Sequence, residues 1–100
     1  MDTTSAPDAI RLVEFGAAWC GPCRAFEPVL RSFGERHPAV RIDHVDVDAH
    51  PELAAAYDIR SMPTTVVFRG DVPVGRVIGA QPLQAFEAAV REILAEAVAA

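Results

Sequence analysis

The sequence predicts an α/β domain, a four-stranded mixed sheet flanked by three helices in the order β-α-β-α-β-β-α. Three observations carry this reading. Two β-rich runs, Ile10 to Phe15 and Val40 to Val47, are each followed by a segment with helix signals. Two further extended runs are joined by only Arg69-Gly70-Asp71. The chain then closes on an amphipathic stripe.

Residues 1–9 are polar and are expected to form a flexible tail, leaving residues 10–100 as a single domain. Ile10, Leu12, Val13 and Phe15 form the first strand, interrupted by Arg11 and Glu14. After Gly16-Ala17-Ala18, a helix from about residue 21 to 37 places Phe26, Val29, Leu30 and Phe33 on one face. Pro28 removes a donor inside it, so the choice is between a false helix and a bent one; unbroken apolar spacing favours the bent helix.

Val40, Ile42, Val45 and Val47 make the second strand, with its alternation shifting at His44-Val45. Pro51 then opens a short helix to Tyr57. Strand, helix, strand, helix starts a right-handed unit with parallel strands. Thr64 to Phe68 and Val72 to Ile78 follow as an antiparallel hairpin, with Pro73 and Gly75 marking an edge or a bulge. Gln81-Pro82 opens the last helix, striped by Leu83, Phe86, Val90, Ile93, Leu94 and Ala97.

At 100 residues and 51% hydrophobic content, one core is expected. Fourteen acids against nine Lys and Arg give a net charge of -5, which argues against nucleic-acid or anionic-membrane partners. No apolar run reaches the roughly 20 residues of a spanning helix. The first residues lack a basic head and an apolar stretch, leaving the cytoplasm as the default location.

The only two cysteines, Cys20 and Cys23, stand in Trp19-Cys20-Gly21-Pro22-Cys23. A metal clamp would want four ligands, and the chain offers two thiols and three scattered histidines, His37, His44 and His50, unless two chains share the ion. A structural staple over so short a loop gains little entropy. A redox pair draws on position as well as spacing. After a strand and at a helix opening, free amides and the positive helix end favour a thiolate at Cys20. Cys20 is then exposed and Cys23, one turn on, faces inward to resolve a mixed disulfide. Pro22 restrains the loop and Gly21 leaves room for substrate. Trp19 is either a core aromatic or a flat rim beside the thiols. No Gly-rich nucleotide loop is present, so no tightly bound cofactor is expected.

From Ile10 onward the chain resembles the thioredoxins. The resemblance is carried by the Trp19–Cys23 pentapeptide, Val13-Glu14-Phe15, Pro28, Val45-Asp46-Val47-Asp48, Tyr57-Asp58-Ile59, Met62-Pro63-Thr64, Phe68 and Gly79. It implies a thioredoxin-like fold and a thiol-disulfide oxidoreductase that reduces protein disulfides, with Cys20 as nucleophile and Cys23 as resolving thiol. It makes Pro63 a cis-proline, and gives Met62, Pro63, Thr64 and Gly79 to substrate binding. Glu14 stands where the family often has a buried aspartate acting on the resolving thiol, here one methylene longer. Burial disfavours a charged carboxyl, which suits a proton acceptor. His44 replaces a lysine that often pairs with this acid, making it a titratable modulator. Gly16 replaces a frequent second tryptophan, thinning one wall.

The family usually starts with a further strand and helix, which nine residues cannot supply, so the strand at 40–47 is expected at a sheet edge where a second copy competes with the monomer. Implied partners are disulfide-bearing proteins and a thioredoxin reductase or other dithiol donor. Two other functions stay open: an extracytoplasmic oxidant or isomerase, and a redox-sensitive binding domain without catalysis.

Overall fold

The computed structural model describes residues 8–99. Most of the expected tail, residues 1–7, lies outside them. Ala9, placed in that tail, is instead tied down, its carbonyl accepting the Gly70 N–H at 2.7 Å.

The elements are β1 (Ile10–Gly16), α1 (Gly21–Arg36), β2 (Arg41–Asp46), α2 (Pro51–Ala56), β3 (Thr64–Arg69), β4 (Val72–Ile78) and α3 (Leu83–Ala99). The sheet order is β2-β1-β3-β4, with β1 and β2 parallel and the other neighbours antiparallel. The four-stranded mixed sheet with three helices is therefore as the periodicities foretell. β2 has a strand neighbour on one side only among the described residues.

Helix α1 runs through Pro28 without interruption. Its apolar face supplies enough burial, through Phe26, Leu30 and Phe33, to offset one missing helix bond. The hairpin carries the expected irregularity: Val67 pairs with Gly75 but Phe68 with Pro73, so Val74 is the extra residue. Glycine is required at residue 75 for space, since a Cβ there would lie 2.6 Å from Ile93 Cγ2 of α3.

The sheet has a core on each face. Leu12, Val67 and Val77 pack with Phe26, Leu30 and Phe33 of α1 and Phe86 and Val90 of α3. Val13, Phe15, Val66 and Phe68 point the other way, where Tyr57 and Ile59 cover them just beyond α2. No helix among the described residues is long and apolar enough to cross a membrane.

Glu87 joins α3 to the C-terminal end of α1. Arg36 Nε–H donates to its Oε2, and His37 Nε2 meets the same oxygen, each at 2.8 Å. The bond to His37 is the largest cause holding the Glu87 carboxyl below its ordinary range; burial opposes it and Arg36 adds attraction. A lowered value in the folded state means that the stabilisation exists above the unfolded-state value and is lost as pH falls through the folded one. Glu87→Gln should therefore lose less stability on acidification than the parent, as urea midpoints at neutral and acid pH would reveal.

Candidate active site

Strand β1 ends at Gly16, and Ala17, Ala18 and Trp19 carry the chain to the N-cap of α1, which is Cys20. Cys20 has extended backbone angles (φ -83, ψ 109), and its Sγ accepts the Cys23 N–H at 3.2 Å. A sulfur thus does the work of the oxygen that usually caps a helix, at its positive end. Pro22 falls in the first turn, where its missing donor costs nothing. The two sulfurs are bonded to each other, with Cα atoms 5.2 Å apart. The bond is common to the staple and to the redox pair, and its position at the helix opening is the feature on which the redox reading draws.

The expected difference in exposure between the cysteines is not found. Cys20 and Cys23 are each 6% exposed. The bond holds Cys20 Sγ beneath the Met62 carbonyl, whose oxygen lies 3.9 Å away, while Ala17, Val47 and Met62 pack around both cysteines. What differs is the cover. Above Cys20 it consists of a loop and a rim in which Trp19, Gly21 and Pro22 are exposed. Behind Cys23 it is the floor of β1, formed by Gly16 and Glu14.

The Met62-Pro63 peptide is cis. Pro63 is fully buried, and its carbonyl accepts the Gly79 N–H at 2.8 Å. Gly79 has φ +91, a conformation that favours glycine, and nothing lies within 4 Å of where its Cβ would be. Met62 thus packs against the cysteines, and the backbone bond from Gly79 ties the next residue, Pro63, to the end of β4. Thr64 follows Pro63 and is likewise enclosed. Its side chain is buried, and the hydroxyl donates to Ser61 O at 2.8 Å, so it braces the loop from beneath.

Trp19 is no core residue: it is 65% exposed, and its Nε1–H donates to Asp48 Oδ2 at 2.7 Å. Asp48 is the residue that sequence reasoning passed over. Its only signal was its place in the Val45–Asp48 run.

Glu14 is buried at 6% exposure, and its Oε1 lies 3.0 Å from Nδ1 of the half-exposed His44. Register brings the pair about, since Glu14 and His44 are partners in the parallel β1–β2 ladder. The Glu14 carboxylate is thus turned inward, whereas His44 keeps more than half of its side chain in solvent while meeting it. A groove of about 570 Å³ opens over them, with Cys23, Gly16, Glu27 and Arg31 in its walls.

A strand delivers a two-cysteine N-cap, and a cis-proline loop lies across the bonded sulfurs. This arrangement defines a thiol-disulfide oxidoreductase working by reversible Cys20–Cys23 exchange, a disulfide reductase and electron carrier. Comparison with known proteins agrees. A family model described as "Thioredoxin" matches residues 2–92, and the chain belongs to the thioredoxin family. It is 44% identical over 84 residues to a thioredoxin of Alicyclobacillus acidocaldarius, covering 83% of this chain and 80% of the relative. A putative thioredoxin 2 of Streptomyces coelicolor is 38% identical over 96 residues, 96% of this chain and 69% of that one. Among solved structures, oxidised mitochondrial thioredoxin 3 of Saccharomyces cerevisiae has a TM-score of 0.78 at 33% identity, covering 85% of this chain and 79% of that chain. Partners of this chemistry are disulfide-bearing substrates and a reducing system.

Proposed function

We propose that the protein reduces protein disulfides in the cytoplasm as a monomer, recharged by a thioredoxin reductase or another dithiol donor, with no bound cofactor. The Cys20 thiolate attacks a substrate disulfide, forming one mixed disulfide and releasing one substrate thiolate. Cys23, deprotonated by Glu14, then attacks Cys20 Sγ, expelling the second substrate thiolate and closing the Cys20–Cys23 bond. Two electrons pass from the dithiol to the substrate. Glu14 takes the Cys23 proton, and His44 tunes the carboxylate that receives it.

The observation that carries this reading is the Cys20 cap. An amide hydrogen bond and a helix N-terminus both favour negative charge on that sulfur. An extended substrate segment lies along Met62, Pro63 and Gly79, using the main chain in β fashion, with Trp19, Gly21 and Pro22 as its rim. Charged Arg41, Asp43 and Asp46 blunt the β2 edge against a second copy.

The test is a trap. Cys23→Ser leaves Cys20 free to attack and removes the thiol that resolves, so mixed disulfides with substrate proteins should accumulate on non-reducing gels. The Cys20→Ser/Cys23→Ser double variant should yield none. Equal adduct formation by both would sink the assignment of roles, and the trapped proteins identify the clients.

A further inference from the structure

Gly16 is a glycine that its own backbone does not need. It sits in β1, paired in regular register with Asp46 of β2, and its φ lies outside the positive region that excludes other residues. Glycine inside a strand weakens it by about 0.5–1 kcal/mol relative to alanine. The reason for the glycine must therefore be space.

That space is already occupied. A Cβ on residue 16 would lie 2.8 Å from Glu14 Oε2, 3.1 Å from Cys23 Sγ and 3.4 Å from Cys23 Cβ. Residues 14 and 16 project to the same face of the strand. The carboxylate of one and the resolving sulfur thus converge over the bare Cα of the other. Oε1 is meanwhile held by His44, so the carboxyl group cannot turn away without breaking that pair.

We propose that Gly16 is a positioning residue for the reaction: its missing side chain is what lets a glutamate, one methylene longer than aspartate, fold its carboxylate back toward Cys23. The inference rests on the proposed proton-accepting role of Glu14. It makes the length of the acid at position 14 and the size of residue 16 a coupled choice. A longer acid requires a bare neighbour, whereas a shorter one leaves room for a side chain.

A double-mutant cycle tests this. Single-turnover disulfide reduction would be followed across the neutral pH range in the parent, Gly16→Ala, Glu14→Asp, the double variant and Glu14→Gln, with thermal midpoints for each. The titratable and charged groups that line the groove with Glu14 are His44 and Asp46 of β2 and Cys23, Glu27 and Arg31 of α1, and all are kept. Gly16→Ala should slow resolution by about tenfold or more, part of the 10²–10⁴-fold that a positioned base supplies, and displace the pH profile. In the Glu14→Asp background the same change should cost less than about threefold. If Gly16→Ala is poorly folded, Glu14→Asp should restore its thermal midpoint.

Equal losses in both backgrounds, in rate and midpoint alike, would overturn the positioning role while leaving the base intact. A Glu14→Gln variant with the parental rate and pH profile would instead refute the base itself.

Discussion

Cys20→Ser is expected to reduce insulin-disulfide reduction by about 10³-fold or more, to the level of the dithiothreitol background. The change isolates chemistry from structure. A serine hydroxyl is a good acceptor at a helix N-cap, so the bond from the Cys23 N–H survives. Losing a disulfide that closes so short a loop costs little chain entropy. Circular dichroism should therefore remain native while turnover disappears. Full turnover in the serine variant would remove the basis for assigning the reaction to this pair.

Phe86→Ala is expected to have the largest effect on stability, about 3–5 kcal/mol. Phe86 is fully buried, with its ring edge-on to Phe26 at 5.1 Å and to Phe33 at 5.3 Å. It fastens α3 to α1 over the sheet, so truncation opens a cavity where three aromatic rings meet. Against a total of about 5–15 kcal/mol for a domain, the loss should lower the thermal midpoint by about 15 °C or more. Heating followed by circular dichroism measures it. A fall of less than about 5 °C would mean that the core closes over the gap.

The fold was legible because it rests on local signals. Periods of two and of 3.6 separate strands from helices, and Arg69-Gly70-Asp71 is too short for anything but a hairpin. Even Pro28 was read through, since the stripe of Phe26, Leu30 and Phe33 outweighs one lost bond. The catalytic pair was legible from its place between strand and helix. Glu14 and His44 were found only through a resemblance, because their contact depends on the register of β1 against β2.

The missing parts of the site are those that long-range contacts decide. The choice for Trp19 between core aromatic and rim stays open until Asp48, 29 residues away, is known to hold its indole at the surface. Cys20 reads as exposed until the Met62 loop folds over it. Thr64 stands in a substrate motif by its neighbours, and only the fold shows that its hydroxyl is spent on Ser61 O. The crowding between Glu14 and Gly16 has no sequence signature, because a residue pair two apart reveals shared direction but not shared volume.

Trp19 is also the only tryptophan of the chain, and it stands at the rim of the dithiol rather than in either core. Its fluorescence is therefore a built-in optical probe of one place. Emission should respond to opening and closing of the neighbouring sulfur bond and to solvent reaching the indole. A domain of this size unfolds cooperatively, so the indole also registers loss of the fold through its bond to Asp48, and the redox response is the one read under native conditions.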